Sequence, residues 1–224
     1  MNYFAHGRRF VDSPYFLAGT AVPDWLNVVN RRAKARSKKA ALFVNDPNSA
    51  IASLAAGIVQ HHFDDAWFHQ TRAFAELNLQ FAVSLRDLLG QDSGFRPSFL
   101  GHILVELLLD AVLSDQHPEQ LDRYYDAIAE VDPYVVMNAV DGMATESVAL
   151  LAAFIPRFSE ARFLYDYADD ERLLYRLNNV MNRVKLAQLP ATVLDFIPEA
   201  RQNVRQRKDE LLAGEIAIKP PISQ

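Results

Sequence analysis

Histidines and carboxylates recur four residues apart on two apolar stretches of the chain. They are His61, Asp65 and His69 within residues 49–69, and His102 and Glu106 within residues 99–113. Side chains four apart on an α-helix lie on one face, about 5–6 Å apart at Cβ, so a histidine and a carboxylate at this spacing can reach one cation. The spacing therefore indicates metal-binding chemistry, provided that both stretches are helical.

Both stretches have the periodicity of buried helices. In the first, apolar residues at helical spacing share a stripe with His61 and Asp65. In the second, the residues around His102, Glu106 and Asp110 are small or apolar on every side. A carboxylate that faces the core costs free energy unless a charge compensates it, and a metal ion is one such charge. Two such faces packed together would form a His/carboxylate metal site in a helical core. The alternative is that His102 pairs with Glu106 while Asp110 meets an arginine.

The composition restricts the chemistry of such a site. The chain of 224 residues has no cysteine, so a disulfide framework and a thiolate metal site are both excluded. Any metal must be held by histidine and carboxylate side chains, a ligand set that suits Zn, Mn or Fe. The residues are 50% apolar and 23% charged, which is ordinary for a globular protein with a substantial core.

Charge and hydropathy bear on partners and location. The net charge of −5 disfavours nucleic-acid binding, because such domains usually carry a basic surplus. No signal peptide is evident, and no apolar run approaches the roughly 20 residues that span a bilayer. The sequence therefore predicts a cytoplasmic protein without an integral membrane segment.

The periodicity along the chain predicts an all-α fold. We expect one compact domain of eight or nine helices over residues 1–214, with the metal site between core helices and an extended tail over residues 215–224. Residues 91–97 are expected to form a loop, because glycine and proline cluster there with polar residues. The last helix is expected over residues 195–212.

Proline and glycine predict where helices begin or break. Pro23 is expected to open a helix after a break at Gly19, because proline is tolerated in a first helical turn. Pro156 is expected to kink or split the helix that contains it, because it removes a hydrogen bond and its ring clashes with the preceding turn.

Three short segments resemble motifs of the acyl-carrier-protein phosphodiesterase family. MNYFAH (residues 1–6) is similar to the family's MN(F/Y)LAH opening, and AGTAVPDWL (residues 18–26) is similar to its G-N-L-L-A-D-F segment. AGIVQHHFDDAWFH (residues 56–69) resembles its AGI-x-x-H-R-x-I-D motif. The resemblance covers about the first half of the chain and implies a helical, metal-dependent phosphodiesterase. The residues that it places in the site are His6, Asp24, His61 and Asp65.

The chain departs from that family at two points. His62 stands where the motif has arginine, and His102-x-x-x-Glu106-Leu107 stands where the family has D-x-x-x-D-H. A looser resemblance is to zinc-dependent phospholipase C proteins, which also combine an H-x-x-x-D helix, a further histidine and an H-x-x-x-E helix. Both families are helical, metal-dependent hydrolases of phosphodiesters, and the resemblances imply this shared chemistry here.

The resulting hypothesis is hydrolysis of a phosphodiester assisted by one to three Zn, Mn or Fe ions. The predicted metal ligands are His6, Asp24, His61, Asp65, His69, His102 and Glu106. A nearby carboxylate, Asp64 or Asp110, would take a proton from water. Arg72 would contact phosphate, as could Arg8 or Arg9, and the alternative for each is an ordinary surface arginine.

Two features keep other interpretations open. His62 either orients the site from outside the coordination sphere or is a core histidine. The basic run Arg31–Lys39 has six basic residues in nine, and it either docks an acidic partner such as an acyl carrier protein, or a phosphate-rich ligand, or is a solvated surface. Two other functions are a helical di-iron oxidase, although such sites usually use Glu-x-x-His, and a non-catalytic binding protein that keeps the fold.

Overall fold

The computed structural model describes residues 1–90 and 94–215, and these residues are helical with no β-strand among them. The prediction of an all-α fold is therefore confirmed. The described residues form twelve α-helices and four 3₁₀ helices, rather than eight or nine helices. The difference lies in short elements, because nine of the α-helices have ten or more residues and the other three have only four or five.

The α-helices follow one another with short connections. They are α1 Tyr3–Gly7, α2 Pro14–Val29, α3 Ser37–Ala40, α4 Ser49–Phe68, α5 Arg72–Leu89, α6 Pro97–Gln116, α7 Pro118–Glu130, α8 Pro133–Met143, α9 Leu151–Ala161, α10 Asp170–Arg183, α11 Ile197–Gln206 and α12 Lys208–Leu211. The 3₁₀ helices are Arg8–Phe10, Ala41–Phe43, Phe163–Ala168 and Ala191–Asp195.

Several helices begin at the residues that their local chemistry favours. Thr71 caps α5, accepting a hydrogen bond from the backbone N–H of Phe74 at 3.2 Å. Asp132 caps α8 in the same way, and Asp169 caps α10. Each side-chain oxygen accepts a hydrogen bond from a backbone N–H that has no partner within the helix. These caps fix the starts of three helices.

The predicted break at Gly19 and the predicted helix start at Pro23 are both wrong. Both residues lie inside α2, which continues beyond them. An internal proline costs about 3 kcal/mol, because Pro23 cannot donate to the carbonyl of Gly19. The fully buried side chains on both sides of Pro23, Val22 before it and Trp25 and Leu26 after it, offset that cost by packing.

Two other predicted boundaries also differ. Pro156, which was expected to kink or split its helix, lies inside α9 and does not split it, and Arg162 follows the end of the helix at Ala161 in the left-handed conformation (φ 43°). The predicted last helix over residues 195–212 is instead broken at Arg207 into α11 and α12. Local periodicity therefore locates these helices well but does not fix where they stop.

Gly19 serves close packing rather than a break. A Cβ built on Gly19 would lie 2.2 Å from the carbonyl oxygen of Leu54, and one built on Gly57 would lie 2.1 Å from that of Phe16. Neither position has room for a side chain, so α2 and α4 meet backbone against backbone. This contact matters for the site, because His61 follows one turn after Gly57 on α4.

The described chain divides into two compact units. The first unit comprises Met1–Asn2, Trp67–Gln116 and Phe163–Gly214. The second comprises Tyr3–Ala66, His117–Arg162 and, among the described residues, Glu215. The single domain expected over residues 1–214 stays a prediction. Residues 91–93 of the expected loop and residues 216–224 of the expected tail lie outside the described part of the chain.

Helix α6 is the one helix among the described residues that is long and apolar enough to cross a membrane. Of its most apolar window, 67% is buried within the protein, as expected of a core helix. This helix carries three predicted site residues, His102, Glu106 and Asp110. It is weak evidence for a membrane segment, and the absence of one stays a prediction.

Candidate metal centre

Six of the seven predicted metal ligands form two triads, one in each unit. The buried triad, in the second unit, consists of His6 from α1 with His61 and Asp65 from α4. The half-exposed triad, in the first unit, consists of His69, His102 and Glu106. In each triad the three residues offer one ligand atom apiece, and these atoms lie within 4.8 Å of one another. Each triad combines two imidazoles and one carboxylate, a set that fits a divalent transition metal.

His61 is oriented by the backbone of α2. Its Nδ1–H donates a hydrogen bond to the carbonyl oxygen of Thr20 at 2.8 Å. This bond leaves Nε2 as the nitrogen that carries the lone pair in the neutral ring, and Nε2 lies 3.4 Å from Asp65 Oδ2. Thr20 follows Gly19, so the close approach of α2 and α4 is what brings this carbonyl to the imidazole. A backbone acceptor behind a histidine is the usual support of a metal ligand.

His6 is fully buried and lies between two carboxylates. Its Nε2 is 3.3 Å from Asp65 Oδ1, and its Nδ1 is 3.6 Å from Asp64 Oδ2. Neither ring nitrogen forms a hydrogen bond with a described residue, although the side chain has 0% exposure. The ring stacks on that of His61 with 4.1 Å between centroids. Both imidazoles therefore direct Nε2 at Asp65 and Nδ1 at another oxygen.

The electrostatics of the buried triad favour a positive charge between the imidazoles and Asp65. Burial works against the charged form of His61, but Asp65 and the charge of Asp24 outweigh it and raise the pKa of the imidazole. Burial likewise works against the Asp65 carboxylate, but the adjacent His6 and His61 rings hold its pKa well below the usual range. Two lone pairs facing a carboxylate are favourable only when a cation, a proton or a metal ion, lies between them.

Asp64 supports the buried triad from one side. Its Oδ2 lies 3.0 Å from Arg9 Nη2, and its Oδ1 accepts a hydrogen bond from Gln60 at 2.8 Å. Burial opposes its ionisation, but His6 and Arg9 outweigh it and lower the pKa of the carboxyl. A general base works best with a pKa near the operating pH. The lowered pKa of Asp64 therefore suits the role of orienting His6 better than the role of a general base.

Asp24 and His62 flank the buried triad without belonging to it. Asp24 is close enough to His61 to raise the pKa of its imidazole, but it is not a member of the triad. His62 donates from Nε2 to the carbonyl of Ala35 at 2.7 Å. Burial lowers the pKa of His62, and the hydrogen bond to Ala35 opposes this only in part. His62 therefore anchors the basic run to α4, the helix that carries His61 and Asp65.

In the half-exposed triad, three nitrogens surround a single oxygen. Glu106 Oε1 lies 2.9 Å from His69 Nε2, 3.2 Å from His102 Nε2 and 3.1 Å from the amino group of Met1. The ring of Phe74 lies against both imidazoles, with centroids 4.8 and 4.9 Å away. Burial disfavours the charged Glu106, but the ammonium group and the two imidazoles hold its pKa well below the usual value.

The remaining predicted residues lie in different surroundings. Asp110, predicted as a possible proton acceptor, lies one turn after Glu106, is buried and accepts a hydrogen bond from Asn2 at 2.8 Å. Arg72 is 88% exposed at the start of α5 and pairs with Glu76 at 2.6 Å. Arg8 and Arg9 are mostly buried and both contact Glu215. Of the three arginines, Arg72 most resembles an ordinary surface residue.

Four groups that hold His61 or the side chains around the buried triad were not predicted from the sequence. They are the Thr20 carbonyl, the Gln60 amide, the Ala35 carbonyl and the Glu215 carboxylate. Backbone carbonyls leave no trace in a sequence pattern. Gly19 and Gly57 were the available signal, because paired glycines on two apolar helices permit close packing. The single cage expected between α4 and α6 would require both units and stays a prediction.

Comparison with known proteins adds no relative. No protein-family model, no curated protein and no solved structure matches the chain. The resemblance to acyl-carrier-protein phosphodiesterases and to zinc-dependent phospholipase C therefore stays a prediction.

Proposed function

We propose that the protein is a metal-dependent phosphodiester hydrolase with its catalytic metal in the buried triad. The observation that carries this proposal is the state of His6, whose two buried ring nitrogens form no hydrogen bond with a described residue while both face carboxylates. An unsatisfied buried polar group costs about 1–3 kcal/mol. A divalent cation held by His6, His61 and Asp65 would repay that cost.

The ligand set supports hydrolysis. A bound divalent cation with three protein ligands keeps open positions for water and substrate, lowers the pKa of that water and stabilises charge on phosphoryl oxygens. Thr20 and Asp64 orient the two imidazoles, and Asp24 adds negative charge that favours cation binding. Arg9 pairs with Asp64, so its cationic side chain borders the site.

The half-exposed triad adds a second, weaker position for a cation in this proposal. Its histidines are one-third exposed and its carboxylate already has three nitrogen neighbours, so a metal there would compete with contacts that the protein makes by itself. One to three ions, of Zn, Mn or Fe, remain the proposed cofactors.

The test of catalysis uses protein purified without added metal. We expect bound Zn, Mn or Fe by elemental analysis, and hydrolysis of bis-p-nitrophenyl phosphate that a chelator abolishes and one of these ions restores. His61→Ala should remove both the metal and the activity. His117→Ala is the matched control, because His117 is exposed and belongs to neither triad. Metal-free protein that no ion activates or stabilises would contradict the proposal.

The substrate is proposed to be attached to an acidic protein, such as an acyl carrier protein. Residues of the basic run lie exposed, while Ala33 and Ala35 between them are buried. Hydrogen bonds with Thr145 hold Lys34, and the bond from His62 holds Ala35, so the run is fixed beside α4. Charge reversal at Arg31, Arg32 and Lys34 should weaken binding of an acyl carrier protein, most strongly at low salt. Unchanged binding would restrict the proposal to small phosphodiesters.

A further inference from the structure

Two arginines beside the buried triad share one carboxylate. Arg8 Nη2 lies 2.7 Å from Oε1 and 2.5 Å from Oε2 of Glu215. Arg9 Nε lies 3.1 Å from Oε1 of the same residue. The guanidinium groups are mostly buried, with 12% and 16% of the side chains exposed. Arg9 also pairs with Asp64, whereas Glu215 is the carboxylate that the two guanidinium groups share. The guanidinium fork fits carboxylate and phosphate oxygens alike.

This arginine pair is linked to the buried triad by the chain itself. Arg8 and Arg9 open the 3₁₀ helix that follows α1, which carries His6. Arg9 also reaches Asp64, and Asp64 faces Nδ1 of His6. A group bound by the two arginines is therefore held next to His6 and the rest of the buried triad.

The pair has donors that Glu215 does not use. Nε of Arg8 is buried and donates no hydrogen bond to a described residue. A carboxylate offers two oxygens, but a phosphate group offers three or four, in a tetrahedral arrangement. A phosphate can therefore engage more of the available N–H groups than Glu215 does.

We propose that Arg8 and Arg9 form the subsite that binds the phosphate group of the substrate, and that Glu215 fills this subsite as an internal competitor. The inference rests on the proposed function for the identity of the substrate, but the anion site itself is independent of catalysis. Glu215 must leave before phosphate binds, so the carboxylate restrains both substrate binding and inhibition by phosphate.

The experiment measures binding of inorganic phosphate by isothermal titration calorimetry. Glu215→Gln keeps the shape of the side chain and removes its charge, so phosphate should bind roughly tenfold more tightly, as expected for the loss of a competing charge-assisted contact. Adding Arg8→Ala to this variant should abolish the gain. Glu210→Gln is the matched control, because Glu210 is an exposed glutamate of α12 that pairs with Arg207. Equal phosphate affinity in Glu215→Gln, Glu210→Gln and the unaltered protein would overturn the proposal.

The outcomes separate this inference from the proposed function. Tighter phosphate binding by a protein that hydrolyses no phosphodiester with any metal would support the anion site and contradict the enzyme. Metal-dependent hydrolysis with no change of phosphate affinity in Glu215→Gln would support the enzyme and contradict the anion site. If that variant does not fold, phosphate titration of the unaltered protein, followed by the side-chain Nε–H NMR signals of Arg8 and Arg9, decides the question. Shifts at both arginines support the subsite, and their absence overturns it.

Discussion

The two triads contain the same ligand types but differ in how the protein satisfies them. In the half-exposed triad, His69 forms a hydrogen bond with Glu106, and the histidine nitrogens can also meet water, since 32% and 35% of the two side chains are exposed. In the buried triad, His6 has no exposure and no hydrogen bond to a described residue. The same ligand types therefore have hydrogen-bond partners or water in one place, whereas in the other they face one another in a way that is favourable only with a proton or a metal ion between them.

The two triads therefore differ in the exposure of their imidazoles rather than in their ligand types. In the half-exposed triad, Glu106 is only 13% exposed, but both imidazoles reach water and lie within ion-pair distance of its carboxylate, so the cluster needs no metal to account for it. A buried imidazole whose ring nitrogens face carboxylates without a hydrogen bond costs free energy unless a proton or a metal ion lies between them. The buried triad is therefore the stronger candidate for the catalytic metal.

The largest expected effect comes from the packing that builds the buried triad. Gly57→Ala would place a Cβ 2.1 Å from the carbonyl oxygen of Phe16, which is backbone and cannot rotate away. We expect a loss of about 3 kcal/mol in the free energy of unfolding, together with loss of metal binding at His61. Urea denaturation measures the first and calorimetric metal titration the second. Gly94→Ala is the control, because nothing lies within 4 Å of its Cβ. Wild-type stability in Gly57→Ala would refute the close approach of α2 and α4.

Removal of one buried ligand should have the next largest effect. At a metal concentration 100 times Kd, the unaltered protein should gain about 2.7 kcal/mol of stability from binding at the buried triad. His6→Ala should lose this gain entirely, whereas His117→Ala should keep it. Thermal unfolding with and without Zn or Mn measures the difference. A full metal-induced stabilisation of His6→Ala would show that His6 is not a ligand.

The half-exposed triad should respond less. His102→Ala removes a side chain that is about one-third exposed, so we expect a cost of only about 0.5–1 kcal/mol. A weak metal-binding event should disappear in calorimetry while the tight event remains. Loss of the tight event in His102→Ala, with His6→Ala unaffected, would reverse the assignment of the two triads.

The smallest effect is expected at Arg72. This arginine is exposed and contacts Glu76 on the next turn of its own helix, so Arg72→Ala should leave both the melting temperature and phosphodiester hydrolysis unchanged within error. Arg9→Ala is the comparison, because Arg9 contacts Asp64 beside His6 and its removal should reduce hydrolysis. A large loss of activity in Arg72→Ala would restore the role in phosphate binding predicted from the sequence.

The local parts of the fold and of the site could be predicted from the sequence. The stretch over residues 49–69 contains α4 Ser49–Phe68, and the stretch over residues 99–113 lies within α6 Pro97–Gln116. Periodicity and caps are properties of neighbouring residues, so they can be recognised without knowledge of tertiary contacts. The four-residue spacing likewise placed His61 near Asp65 and His102 near Glu106.

The non-local parts could not be predicted. Gly19 was expected to break a helix, because a glycine in a sequence indicates flexibility and close packing equally well. Only the position of Gly57 on α4 shows which of the two applies. The Thr20 carbonyl contacts His61, which lies 41 positions later in the chain. Glu215 contacts Arg8, which lies 207 positions earlier.

A crystal grown with Zn or Mn, with anomalous diffraction recorded at the absorption edge of that metal, tests the buried triad most directly. The proposed function predicts an anomalous peak about 2.0–2.2 Å from Nε2 of His6, from Nε2 of His61 and from an oxygen of Asp65. A peak at His69, His102 and Glu106 alone, or a fully buried His6 with no anomalous density beside it at saturating metal, would contradict it.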